Sequence, residues 1–419
     1  MSSVERGKRL RERAEENPEA VSIDEILNSL RNGPVGERSH ALRALVLVTE
    51  DHPERADEAR EALVPMLSAT SAMTRELGAR TLSVLAQVHP DSVRPAIPEL
   101  IDLLEDDFGL ARARAVRALA SIADSDPESV TAALSHLEGL LTDEALFVRE
   151  PAIDLTARYL PERADEVAFV APALVETLEP PETLDPETRR ALQRGSSGQQ
   201  PVLEHESEAR RERERTRVRA AATLASLSEE RPDTLTDSLP SLLDLLEAES
   251  SVTIQSAILD VLGHTATEPS VDPTPAIDPV AKTLSDAVDP TLRTKAAWVL
   301  GLIAESEPEA VTEASRSALQ TIGDLLEADD VRMQGAAAGL LAYVAEYDPE
   351  AVSPLLTRLR TLLESDADFV RGSAIWVLAF AGEDADRERL AALTREDADP
   401  DVRSAATAAV EIFDERSGR

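Results

Sequence analysis

The sequence predicts an all-α protein: an α-α superhelix of about ten antiparallel helix pairs lying side by side. Three observations lead there. The pentapeptides NPEAV at Asn17–Val21, EPEAV at Glu307–Val311 and DPEAV at Asp348–Val352 nearly copy one another. Prolines in the same setting, each just after a long apolar segment, fall at Pro18, Pro53, Pro90, Pro127, Pro161, Pro232, Pro269, Pro308 and Pro349, with one step of 71 residues and the others between 34 and 41. Between them, apolar residues recur at three- and four-residue spacing, the signature of a helix face.

A repeat near 37 residues means one structural unit written many times. Within Ile97–Ala123, Leu100, Ile101, Leu103 and Leu104 form one apolar stripe, EDDFG at Glu105–Gly109 is turn chemistry, and Ala115, Leu119, Ile122 and Ala123 form a second stripe. DSDPESV at Asp124–Val130 then stops that helix and opens the next. Proline suits a first helical turn, where its missing N–H is no loss. Acids beside it suit the positive end of the helix dipole. Each period is therefore two antiparallel helices. A lone pair cannot bury both faces, whereas stacked pairs can, each touching only its neighbours.

In chain order, residues 1–16 are a charged tail or leading helix. Residues 17–179 hold repeats 1–4 and the first helix of repeat 5. Residues 180–207 form a flexible insertion, and 208–416 carry the second helix of repeat 5 and repeats 6–10. The doubled step from Pro161 to Pro232 locates the insertion. Its prolines, Gly195–Gly198 and polar run bury too little apolar surface to order themselves. ESEARRERERTR at Glu206–Arg217 reads as a helix extended outward, with Glu and Arg at i,i+4. Such an insertion is either a tolerated surface loop or a docking segment. The tenth pair, Asp384–Glu396 with Pro400–Glu415, has no marker proline.

Composition bounds the chemistry. Of 419 residues, 42% are hydrophobic but only 3% aromatic, so the core is aliphatic. The absence of cysteine excludes disulfides, thiolate metal sites and a cysteine nucleophile. No apolar run has the length of a membrane span, and the charged N-terminus lacks a signal peptide's apolar stretch. A cytoplasmic location is expected. Eighty acidic residues against 43 basic ones leave a net charge of −37. Lysine occurs only at Lys8, Lys282 and Lys295. Such acidity suits either a basic partner or solvation of the surface in concentrated salt, and its spread along the chain favours the second. The composition resembles that of a salt-loving archaeon's cytoplasmic proteins.

The repeats themselves resemble a known family. LLESDADFVRGSAIWVLAFAG at Leu362–Gly382, LTREDADPDVRSAATAAVEIF at Leu393–Phe413, LLTDEALFVREPAIDLTARYL at Leu140–Leu160 and LSDAVDPTLRTKAAWVLGLIA at Leu284–Ala304 are similar to HEAT repeats. The shared pattern is an apolar helix, an Asp-containing turn, then Val-Arg opening an Ala-rich second helix. The resemblance covers about Pro18–Phe413. Repeat 6 departs from it, with Ile254 at the arginine position, and repeat 8 has two extra residues between Arg332 and Pro349. The resemblance implies an armadillo-like helical scaffold whose second helices line a concave side.

No catalytic constellation is present. The six histidines, His40, His52, His89, His136, His205 and His264, have no partner at metal-ligand spacing. GSSG at Gly195–Gly198 is not a nucleophile elbow, no phosphate loop occurs, and acids are too common for any pair to be informative. No enzyme activity, cofactor or metal is expected.

Candidate binding residues come from the repeat itself. The recurring arginines are Arg38, Arg75, Arg112, Arg149, Arg217, Arg293, Arg371 and Arg403, most of them after an acidic turn and each expected to pair with acids of its own or the adjacent turn. Five residues further on, about 500° around a helix, lies the face opposite the apolar stripe. Arg43, Arg80, Arg117, Asp154, Ala222, Leu259, Trp298, Trp376 and Ala408 occupy it, and the neighbouring +2 row adds His40, Arg114, Arg219 and Lys295. Either these residues pair and pack internally, or the row is a groove, basic at its amino end and apolar at its carboxyl end. Arg43, Arg80, Arg117, Arg114, Arg219, Lys295, Trp298 and Trp376 are then its partner-binding residues, since Trp and Arg anchor interfaces. The expected function is a non-enzymatic scaffold for a protein partner. Nucleic-acid binding fits the arginines but not the net charge, and enzymatic action by analogy with HEAT-like phycobilin lyases rests on the repeat alone.

Overall fold

The computed structural model describes residues 3–179, 199–416 and 418, with side chains from 5 to 179, from 210 to 416 and at 418. The described residues are helical and contain no strand. They form two compact units. One runs to Leu178 and takes in the helix as far as Thr223; the other is Leu224–Arg419. Each is an all-α stack of antiparallel pairs. The insertion expected at 180–207 falls on residues 180–198, outside the described ones, and on the start of the helix Gln199–Glu230.

In the first unit the second helices are Val35–Asp51, Ala72–Val88, Gly109–Ala123, Leu146–Val167 and the first part of Gln199–Glu230. In the second they are Val252–Ala266, Pro290–Ala304, Val331–Tyr347, Asp368–Ala381 and Pro400–Arg416. Within each unit, consecutive second helices pack on one another, and Gln199–Glu230 is tied to Leu146–Val167 through Arg219 on Glu150 and Asp154. The leading helix Ser3–Glu16 packs on Val35–Asp51, in the place a preceding second helix would take.

The marker prolines have a common geometry. The residues before seven of the nine, namely Asn17, His52, His89, Asp126, Arg231, Glu307 and Asp348, have φ between −152° and −126° and ψ between 55° and 83°. Proline Cδ drives its predecessor out of the helical region, so the preceding helix ends there. Two markers depart. Pro161 lies within Leu146–Val167, and the break comes at Arg163, with φ −139° and ψ 37°. Pro269 lies in the turn after a helix that ended at Ala266.

The core is aliphatic, as the composition requires. In pair 7, Asp289 caps Pro290–Ala304 by accepting from the Thr291 and Leu292 N–H groups, and Leu292, Ala296, Val299, Leu300 and Ile303 form the buried stripe. Among the largest fully buried side chains only Tyr159 and Phe413 are aromatic. Tyr159 donates its hydroxyl hydrogen to the Pro127 carbonyl.

The recurring arginine is the fourth residue of its helix in most pairs, and its guanidinium bonds carbonyls of the turn behind it. Arg75 reaches Ala69 O, Arg149 Asp143 O, Arg293 Ala287 O, Arg371 Ser365 O and Arg403 Asp397 O. Three of them also reach the next pair. Arg75 holds Asp106 at 2.5 Å, Arg112 holds Asp143 at 2.7 Å and Arg371 holds Asp397 at 2.8 Å. The expected ladder therefore exists between pairs 2 and 3, 3 and 4, and 9 and 10. Among the described residues, Arg38, Arg149, Arg293 and Arg403 bond carbonyls only.

Two register expectations are corrected. In pair 6 the anchor is Gln255, the fourth residue of Val252–Ala266, whose Nε2 donates to Leu246 O at 3.2 Å. Ile254 precedes it and is fully buried, where the family pattern has valine. In pair 8 the anchor is Gln334, which donates to Ala328 O at 2.7 Å. Arg332 instead pairs with Asp330 at the helix start. Glutamine performs the arginine's carbonyl-bonding task with a neutral amide, so the pattern of arginines does not reveal it.

Candidate functional site

With the register set, the fifth position after the anchor holds Arg43, Arg80, Arg117 and Asp154 in the first unit's second helices, followed by Ala222. In the second unit it holds Asp260, Trp298, Gly339, Trp376 and Ala408. Leu259, expected on this row, is fully buried one residue before it. The corrected positions are exposed or half-exposed among the residues with side chains, as the opposite face of each apolar stripe must be.

Arg43 is exposed and Arg80 half-buried, and neither makes an ion pair or side-chain hydrogen bond among the described residues. Arg114 lies 3.5 Å from Glu76, and Arg117 lies 4.0 Å from Glu150. Burial pushes the Arg114 guanidinium below its usual range, and the positive charges of Arg117 and Arg80 add to that, against the pull of Glu76. The Arg114 Nε is buried without a hydrogen-bond partner. The structure thus gathers Arg80, Arg114 and Arg117 into one cluster with few counter-charges.

The remaining candidates are more fully engaged. Arg219 bonds both Glu150, at 3.3 Å, and Asp154. Lys295 holds Asp260 at 2.5 Å and the Ser256 carbonyl at 3.3 Å. Trp298 keeps 38% of its surface exposed. Its ring lies over Gly263, leaving no room there for a Cβ, and meets the His264 ring edge-on, with centroids 6.4 Å apart. His264 in turn bonds the buried Ser228 hydroxyl at 2.8 Å. Trp376 is half-buried.

One feature of this face is absent from the candidate residues. Beside Arg43 is a cavity of ≈ 330 Å³, lined by Arg11, Glu15, Leu42, Val46, Leu47 and Val84. A signal for it was available. The ninth position after the anchor is apolar in pairs 1 and 2, Leu47 and Val84, but polar in pairs 3 and 4, Ser121 and Arg158.

Among the described residues no group of three or more His, Asp or Glu side chains could hold a metal ion. No helix there is long and apolar enough to cross a membrane.

Comparison with known proteins agrees with this architecture. Residues 319–411 match the family model for HEAT repeats. The crystal structure of an engineered protein, a Northeast Structural Genomics Consortium target, is similar over 99% of each chain, with a TM-score of 0.64 and 22% identity. That likeness is one of fold. No curated protein matches. With the stacked pairs described above, these findings support an all-α array of HEAT-like repeats, matched as such over residues 319–411.

Proposed function

We propose that the chain is a non-enzymatic scaffold that binds a partner protein along the face of its second helices. The observation that carries this reading is the state of Arg43 and Arg80. In a chain with 80 acidic residues and a net charge of −37, both stand on one face without an acid to pair with among the described residues. Stacked-pair proteins offer extended surfaces of this kind, and Trp298 on the equivalent row of the second unit adds an exposed aromatic anchor. Location in the cytoplasm, with the acidic surface solvated in concentrated salt, belongs to the same reading.

Affinity capture in molar KCl, followed by mass spectrometry, tests it. Two variants divide the face: Arg43→Glu with Arg80→Glu and Arg117→Glu, and Trp298→Ala with Trp376→Ala. The wild type is expected to retain a partner that at least one variant loses, with the helical circular dichroism unchanged. Capture indifferent to both variants sinks the proposal. Retention on a DNA column in molar salt would instead favour nucleic acid, whose phosphate contacts weaken steeply with salt.

A further inference from the structure

We infer that the first unit's arginine face takes an acidic protein segment bearing one large apolar side chain, with that side chain in the cavity beside Arg43 and carboxylates on Arg43, Arg80 and Arg117. This rests on the scaffold reading and names the chemistry of its partner. The cavity of ≈ 330 Å³ has an aliphatic floor, of which Leu42 is buried while Val46, Leu47 and Val84 remain half-exposed. Its volume suits one side chain and not a folded domain. On its rim Arg11 and Glu15 pair with each other at 3.1 Å, which leaves the Arg43 charge uncompensated there.

The charges continue from the cavity in one direction. Val84 and Arg80 are one turn apart on a single helix and so share its face. Arg117 holds the equivalent position on the next helix, with Arg114 beside it. A segment with its apolar residue in the cavity therefore meets successive guanidiniums at intervals of one helix spacing, roughly 8–10 Å. Carboxylates match them, and guanidinium forks bind carboxylates with defined geometry. The limited length of the cluster inside a strongly acidic chain favours a short acidic segment over a nucleic acid, whose charge would run on past it.

Fluorescence anisotropy on the full chain tests this with four labelled probes. They are a short Asp/Glu peptide with one Phe, the same peptide with Ala for Phe, a Lys-for-acid version, and a single-stranded oligothymidine. The Phe-bearing acidic peptide is expected to bind at least about tenfold tighter than each of the others. Arg43→Glu with Arg80→Glu and Arg117→Glu should abolish its binding. Leu47→Gln with Val84→Thr, at half-exposed sites, should reduce it to the level of the Ala peptide. Equal binding of the Phe and Ala peptides, tighter binding of oligothymidine, or indifference to the arginine variant overturns the inference. If a captured partner is lost only by the Trp298→Ala and Trp376→Ala variant, this inference falls while the scaffold reading stands.

Discussion

Arg112 and Asp143 join consecutive helix pairs through a doubly bonded ion pair, Nε to Oδ2 and Nη2 to Oδ1, both at 2.7 Å. Asp143 does more than accept that fork. Its Oδ1 also takes the Ala145 N–H at 2.8 Å, and its carbonyl takes the guanidinium of Arg149, its own pair's anchor, at 2.7 Å. Asp106 is placed alike between Arg75 and Arg112, and Asp397 between Arg371 and Arg403. One aspartate thus forms its own turn and links two arginines of successive pairs.

Removing one partner of this link should cost more than removing both. With side-chain exposures of 18% and 8%, Arg112 and Asp143 are nearly out of water. Asp143→Ala strands a guanidinium and is expected to destabilise the protein by about 3 kcal/mol. Arg112→Gln with Asp143→Ala recreates the combination found at Gln255 and Ala287 in the second unit and should recover much of that loss. Urea unfolding of both variants, read by circular dichroism, checks this.

Acid should attack the same links. The Arg371 hydrogen bond holds the Asp397 carboxyl below the usual carboxylate range. Burial alone would raise Asp106 and Asp386, but hydrogen bonds from Arg75 and Arg360 and from backbone N–H groups outweigh it, and both are lowered. A lowered folded-state value stabilises fully above the unfolded value of about 3.9 and is lost as pH falls through the folded one. Arg371→Gln should therefore melt below wild type at neutral pH, and the gap should close as pH falls well below 4. Thermal melts across that range decide it.

Salt should raise stability overall. A net charge of −37 repels itself in the compact state. Screening shortens the reach of that repulsion from about 10 Å at 0.1 M to about 3 Å at 1 M, while the nearly buried links are screened much less. The melting temperature is expected to climb steadily with KCl; a flat or falling curve would contradict this account.

Gly263→Ala should displace Trp298, because a methyl there occupies the ring's position. The expected cost is about 1–3 kcal/mol, as for overpacking elsewhere, together with a shift in tryptophan emission. Trp298→Ala in the same background should remove most of the penalty.

The period was legible because its cause is local. A proline forces its predecessor out of the helix, and seven predecessors share one conformation. The row of Arg43, Arg80 and Arg117 was legible because helical geometry alone sets which face a residue occupies. Register failed at Ile254 because the anchor's task is to bond a carbonyl, which Gln255 does without a charge. The ladder was only half legible. A rung needs an arginine in one pair and an aspartate six residues before the anchor of the next, and that second requirement appears only once the pairs are laid against each other. Pairing on the proposed binding face depends on residues far apart in sequence, such as Glu150, which lies near both Arg117 and Arg219.

In the second unit the aspartate position is taken by Ala287, Ala328 and Ser365, and the doubly bonded link returns only at Asp397. Three successive joints there lack the cross-brace that stiffens the junctions at Asp106 and Asp143. Within each unit, slip between neighbouring layers should be easier at the joints without this brace, those after Arg38 and Arg149 included, where single ties such as Lys295 on Asp260 act as leaf springs rather than clamps.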